Sequence, residues 1–170
     1  MPFTISAATP ADAPGLAENN MFAFYHTDQH WRAMWGSKPL SEVIEDAAAR
    51  LPHILVTDRE KKRHIKAVDD ATGVIIGYAR WILPEDDDRI TWPEAQVPEP
   101  TPQEAKDYLA ASLSKTKDGV LLGINNQLQA YLGNPLEVAE EEILKSLKGP
   151  FLGNTPSFKS FRIYIDTRLT

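Results

Sequence analysis

The chain has 170 residues, of which 42% are hydrophobic and 25% are charged, and its formal net charge at pH 7 is -6. This length and composition fit one globular domain with a single core and exclude a disordered chain. The acidic balance argues against a nucleic-acid partner or an anionic membrane surface, because both attract basic proteins. The lack of cysteine excludes disulfides, thiolate metal sites and a cysteine nucleophile.

The N-terminal segment and the apolar runs bear on localisation. Met1–Ser6 has no basic stretch followed by an apolar core, as a signal peptide would. No apolar run is long enough to span a bilayer. These patterns predict a cytoplasmic protein with no membrane partner.

A strand and a helix are predicted first along the chain. Phe3–Ala7 alternates apolar and polar side chains, as a half-buried strand does. Thr9–Asp12 (TPAD) then predicts a helix start, in which Thr9 is the N-cap and Asp12 bonds back to it. The apolar stripe of this helix is formed by Ala13, Leu16, Ala17, Met21 and Phe24.

A second helix is predicted after an aromatic segment. Ser41 is a suitable N-cap for it, with acidic residues in the first turn. Pro52 is expected to break or restart the helix, because proline lacks a backbone donor. Helical structure is then predicted to continue to Lys62.

Two apolar, β-rich runs follow, and they predict a hairpin. The first runs from His64 to Asp69 and the second from Val74 to Leu83. Between them, Asp70–Gly73 (DATG) is typical of a tight turn.

Residues 84–157 are predicted as a proline- and acid-rich excursion followed by a helical insertion. Thr101 begins a capping box (TPQE) that opens one helix. A second helix is predicted over Leu121–Leu132 and is ended by Gly133. A third begins directly afterwards and stops at Gly149.

The alternating run Phe161–Asp166 predicts a last strand. The order is then strand, helices, hairpin, helical insertion and strand. This order predicts a single α+β domain over residues 1–170, with a largely antiparallel sheet and flanking helices.

Several motifs of the chain are shared with a known family. The strand Phe3–Ile5 precedes Thr9–Pro14 (TPADAP), and the hairpin ends in Ile76–Trp81 (IGYARW). Together they resemble the opening of the GNAT-superfamily N-acetyltransferases. Arg50–His53 (RLPH) and Trp92–Glu94 (WPE) resemble the fungal-type branch of that superfamily.

The resemblance covers residues 3–83 best, the insertion loosely and the last strand only by position. It implies a partial GNAT-like fold, truncated at the C-terminus, with a helical insertion between the third and fourth strands. It also implies an acetyl-CoA-dependent N-acetyltransferase that acts on a small-molecule amine.

GNAT enzymes hold the cofactor pyrophosphate in a loop of the form Q/R-x-x-G-x-G/A at a helix N-terminus. There, backbone N–H groups and the helix dipole favour the phosphate charge. The glycine pairs at 119 and 123 and at 149 and 153 lack this spacing, and only Thr167–Thr170 follows the last strand. Three accounts remain open: a degenerate relative without catalysis, a shortened chain, or a site completed by a dimer.

Four aromatic residues are candidates for substrate binding: Tyr25, Trp31, Trp35 and Tyr78. Tyr25, Trp31 and Trp35 fall near the loop that borders the acyl acceptor in the resembled family. They either line an apolar pocket for an amine or an aromatic substrate, or they fill the core at a helix junction. Tyr78 and Trp81 lie on opposite faces of their strand, so that one of them can face the acceptor cleft.

The resemblance also implies roles for the last strand. In the family, its backbone runs beside the pantetheine arm of the cofactor, which makes Ile165 and Thr167 cofactor-binding candidates. Asp166 is the candidate general base that accepts the amine proton.

Three patterns of charged residues or histidines could indicate a binding site, but each also has an ordinary structural interpretation. His26 and His30 have metal-ligand spacing, but no general-base Glu lies between them, and no metal is expected. Glu85–Asp88 lacks the spacing of a calcium loop and reads as a solvated loop. The basic run Lys61–His64 either meets a coenzyme phosphate or follows a helix C-terminus, where cations offset the dipole.

Two functions are consistent with these patterns. The first is an acetyl-CoA-dependent N-acetyltransferase, active or residual. The second is a non-catalytic binding or dimerisation protein on the same partial fold. A sheet that stops at the last strand leaves an open edge, which predicts a homodimer.

Overall fold

A computed structural model describes residues 2–36, 38–83, 91–146 and 164–165. The described part is α+β, with five α-helices and a small antiparallel sheet, which confirms the predicted fold class at that level. The strands are β1 (Phe3–Ala7), β2 (Lys62–Asp69), β3 (Ile75–Ile82), β4 (Thr116–Lys117), β5 (Val120–Leu121) and β6 (Tyr164–Ile165). The helices are α1 (Ala13–Thr27), α2 (Gln29–Met34), α3 (Leu40–Val56), α4 (Pro102–Leu113) and α5 (Asn126–Ser146).

The main sheet has the order β1-β2-β3-β6, and every neighbouring pair is antiparallel. The register places Ser6, Lys66 and Tyr78 side by side across three strands. The predicted hairpin joins β2 to β3. At its turn, Asp69 Oδ1 accepts hydrogen bonds from two backbone N–H groups, and Gly73 adopts a φ of 71° that favours glycine.

The core lies between α1, α3 and the sheet. Leu16 of α1 and Leu51 and Leu55 of α3 are almost completely buried in it. Burying each such side chain contributes about 2 kcal/mol to folding. The predicted capping box opens this part of the chain: Asp12 Oδ2 accepts from the Thr9 backbone N–H at 2.7 Å.

The second helix differs from its prediction in three ways. Its N-cap is Pro39 rather than Ser41, it continues through Pro52, and it ends at Val56 instead of reaching Lys62. Leu51 and Leu55 on either side of the proline are both buried, so packing outweighs the hydrogen bond that proline removes.

The insertion between β3 and β6 also differs from its prediction. Leu121 belongs to the short strand β5, and a single helix passes through Gly133 and Pro135. Pro135 has no N–H to donate to the carbonyl of Tyr131, a residue that is 77% exposed. The expected helix start at Thr101 is present, with Glu104 Oε2 bonded to its backbone N–H at 2.7 Å.

Part of the predicted proline- and acid-rich excursion, residues 84–90, lies outside the described residues. Residues 91–101 contain one short 3-10 turn, Pro93–Ala95. The predicted helix stop at Gly149 also lies outside the described residues. Within the described helices, none is long and apolar enough to cross a membrane.

Candidate functional site

The aromatic segment is shaped by a helix break at Asp28. Its backbone is extended, and its Oδ1 accepts hydrogen bonds from the N–H groups of His30 and Trp31. This cap ends α1 and starts α2 at a new angle. As a result, Phe24 of α1 stacks on Trp31 of α2, with ring centroids 5.9 Å apart and an interplanar angle of 12°.

A pocket of about 290 Å³ opens where α1, α2 and α3 meet. Its described lining includes Tyr25, Trp31, Arg32, Trp35, Lys38 and Val43, and we call it the aromatic pocket. The structure thus brings together three of the four predicted substrate-binding residues. Trp31 and Trp35 are each less than a tenth exposed, as core residues are, and each also lines the pocket.

Two cationic side chains sit on the aromatic rings of this pocket. The Arg32 guanidinium lies 5.8 Å from the centroid of the Tyr25 ring, and Lys38 Nζ lies 5.9 Å from that of Trp35. Such contacts hold a cation in place without neutralising it. Arg32 is exposed, so its guanidinium can still donate to a ligand.

Lys38 is also part of a small ionic cluster beside the pocket. Its Nζ bonds to Asp46 of α3 and donates to the carbonyl of Leu122 at 3.3 Å. Lys115 Nζ reaches the other Asp46 oxygen at 2.9 Å. Burial alone would raise the pKa of Asp46, but the hydrogen bonds of the two lysines outweigh it and lower that pKa. The cluster ties the insertion to the wall of the pocket.

The N-terminus of α3 borders the same pocket, since Pro39 and Leu40 belong to its lining. Pro39 is the N-cap and has no side-chain acceptor for the first N–H groups of the helix. A helix of 17 residues therefore presents the positive end of its dipole here.

Tyr78, the fourth predicted substrate-binding residue, is not among the described lining residues of the pocket. It is 2% exposed, and its hydroxyl shares a 2.6 Å hydrogen bond with His64 Nδ1. Burial lowers the pKa of His64 to about 3 and raises that of Tyr78, so both groups are neutral at pH 7. The pair lies under the helices as part of the core.

The basic run 61–64 does not follow a helix C-terminus, since Lys62–His64 begin β2. Arg63 is 3% exposed, and its guanidinium donates to backbone carbonyls. Its Nε bonds to Thr91 O at 2.9 Å and Trp92 O at 2.8 Å, and its Nη1 bonds to Arg59 O at 2.7 Å. We therefore assign Arg63 to holding the 91–92 loop against the sheet.

The candidate residues of the last strand are only partly described. Ile165 lies on β6, where its backbone pairs with Gly77 of β3. Asp166 and Thr167 lie outside the described residues, as does the acidic run Glu85–Asp88.

The two histidines of the metal-type pattern belong to different helices. His26 is in the last turn of α1 and packs on Phe22, with ring centroids 4.2 Å apart. His30 is in α2, beyond the break at Asp28. A search of the described residues found no group of three or more potential metal ligands.

Sequence reasoning missed three members of the site: Arg32, Lys38 and Asp46. Arg32 and Lys38 are interleaved with Trp31 and Trp35 along the chain, and that alternation of cations with aromatic residues was the available signal. Nothing in the sequence around Asp46 indicates its role, because its two lysine partners lie 8 and 69 residues away.

Comparison with known proteins found no matching family model, no matching curated relative and no matching solved structure.

Proposed function

We propose that the chain is a GNAT-like N-acetyltransferase relative whose aromatic pocket receives the acetyl acceptor. The observation that carries the proposal is the pocket itself. It contains three of the residues that the resemblance implies for the acceptor site, and it belongs to an α+β domain with a small antiparallel sheet.

The reaction would join the acceptor nitrogen to the thioester carbonyl carbon of acetyl-CoA. The C–S bond breaks, coenzyme A leaves as a thiolate that takes up a proton, and the amine loses one. The aromatic rings would hold the acceptor in position, which supplies much of the rate enhancement in such two-substrate reactions. Asp166 is the proposed acceptor of the amine proton.

A specific observation favours the second function, a non-catalytic binding or dimerisation protein. The described pocket lining includes aromatic rings and cations but no carboxylate or imidazole that could act as a base. In addition, Phe3 and Ile5 on the edge strand β1 are 54% and 60% exposed. An exposed apolar edge is typical of a strand that pairs with another chain, such as a second copy.

Isothermal titration calorimetry of the full chain with acetyl-CoA tests the proposal. The proposed function predicts binding at micromolar concentration, which corresponds to about -8 kcal/mol. No heat at several temperatures, and no shift in melting temperature, would contradict it and favour the non-catalytic function. Light scattering at high protein concentration tests the homodimer, and a monomer would count against it.

A further inference from the structure

The aromatic pocket carries more positive than negative charge, although the whole chain is acidic at -6. Arg32 and Lys38 line it, and Lys115 stands behind Lys38 on the same carboxylate. The two lysines share one carboxylate, that of Asp46, while Arg32 lies over the Tyr25 ring. The chain therefore places cations at a pocket whose walls are aromatic.

The neighbouring carboxylates do not cancel this excess. Asp46 is shared between two lysines, which leaves one positive charge over, and Asp28, which caps α2, is not among the described lining residues. Glu42 lies in the first turn of α3, is exposed, and is not among the described lining residues.

The positive end of α3 acts in the same direction as the cations. Its N-terminus, at Pro39 and Leu40, is part of the lining and has no side-chain cap. Helix N-termini favour anions, because their first N–H groups lack acceptors within the helix. The cations and the helix end are two separate features of this cavity, and both favour a negatively charged ligand.

From this geometry we propose that the aromatic pocket binds a small aromatic carboxylate. The ring of the ligand lies among Tyr25, Trp31 and Trp35, and its carboxylate accepts from Arg32. Arginine suits this role because its planar guanidinium can donate two parallel hydrogen bonds to a carboxylate. The cavity of about 290 Å³ limits the ligand to roughly the size of an aromatic amino acid.

This inference rests on the proposed function in one respect only. If the pocket is the acceptor site, the acceptor carries a carboxylate in addition to its amine. A purely cationic amine would meet Arg32 and Lys38 at the pocket and be repelled. The carboxylate preference itself requires no acetyl-CoA.

Three probes with one skeleton test the ligand charge: 3-phenylpropionate, 3-phenylpropanol and 3-phenylpropylamine, titrated calorimetrically into the full chain. We expect the carboxylate to bind roughly tenfold more tightly than the alcohol, since charge-assisted hydrogen bonds exceed neutral ones by that order. The amine should bind most weakly. An amine that binds as tightly as the carboxylate, or the absence of binding by all three, would overturn the proposal.

Matched variants test whether Arg32 supplies the positive charge that favours the carboxylate. Arg32→Gln should weaken carboxylate binding roughly tenfold and leave alcohol binding unchanged, whereas Arg32→Lys should retain part of the preference, because lysine keeps the charge and loses the paired donors. Lys106→Gln, on the exposed face of α4, removes a charge away from the described lining and should change neither. Equal effects of Arg32→Gln and Lys106→Gln would show a general charge effect and contradict the assignment.

The outcomes separate the two proposals. Carboxylate binding without acetyl-CoA binding would sustain the inference and remove the acetyltransferase function. Acetyl transfer to cationic amines alone would support the acetyltransferase function and contradict the carboxylate preference of the pocket.

Discussion

The chain contains two tryptophan pairs, and each has an arginine beside it. Trp31 and Trp35 line the aromatic pocket with ring centroids 6.0 Å apart, and Arg32 lies next to them. Trp81 and Trp92 are 6.3 Å apart, and Arg63 is opposite Trp81 in the β2–β3 register. By composition the two clusters are nearly the same.

They differ in how the arginine uses its donors. Arg63 is 3% exposed and bonds to the carbonyl of Trp92, a residue whose φ of 38° is unusual for a bulky side chain. Arg32 is exposed and lies over the Tyr25 ring. The first arginine is committed to the fold, and the second can still bind a ligand. The hydrogen bonds of the cation therefore distinguish the structural cluster from the proposed binding site.

The largest expected effect comes from replacing these arginines in parallel. Arg63→Met should lower the free energy of unfolding by about 3 kcal/mol, because several backbone carbonyls lose charge-assisted bonds. Arg32→Met should cost less than about 0.5 kcal/mol, as exposed substitutions usually do. Urea denaturation followed by circular dichroism measures both values. An equal loss in the free energy of unfolding for the two variants would contradict the distinction between the two arginines.

Acid should destabilise the fold through His64, which is buried against Tyr78. The pKa of His64 in the folded chain is about 3, below its ordinary value of 6.5. Between these two pH values, His64 is therefore protonated in the unfolded chain and neutral in the folded chain. The stabilisation is complete above pH 6.5 and is lost as the pH falls towards 3. From pH 7 to pH 5 the loss should be about 2 kcal/mol. Urea denaturation at a series of pH values measures it.

The control for this pH effect is His64→Gln, since glutamine can also accept from the Tyr78 hydroxyl. This variant should lose the part of the pH dependence between 7 and 5 that His64 causes. A variant with the same slope as the original chain would show that other groups produce it.

Replacing Asp46 tests what its carboxylate contributes to stability and to ligand binding at the pocket. Asp46→Asn should lower the free energy of unfolding by about 1.5 kcal/mol, because two lysines lose a charged partner. The pKa of Asp46 is lowered from 3.8, so this difference should be constant from pH 7 to pH 5 and shrink as the pH falls below 4. Binding of 3-phenylpropionate should not weaken, since the pocket loses a negative charge. A weaker carboxylate affinity would show that Asp46 is needed to position Lys38.

Local signals made much of the fold predictable. The strand Phe3–Ala7, the capping boxes at Thr9 and Thr101 and the β2–β3 hairpin depend on residues close together in sequence. The course of α3 through Pro52 was not predictable in this way, because burial of Leu51 and Leu55 by other elements decides it.

The site shows the same division. The aromatic residues of the pocket were predictable from their clustering around residues 25–35. The role of Arg63 in the basic run was not predictable, because nothing local indicates that Arg63 binds the carbonyls of residues 91 and 92. Lys115 joins the Asp46 cluster only through tertiary packing.

The four tryptophans of the chain allow one measurement on both clusters at once. In a ¹⁵N-labelled sample titrated with 3-phenylpropionate, each indole N–H gives its own nuclear magnetic resonance signal. The account predicts that the signals of Trp31 and Trp35 shift in a saturable manner while those of Trp81 and Trp92 stay in place. Shifts at Trp81 and Trp92, or at none of the four, would contradict the assignment of the aromatic pocket as the binding site.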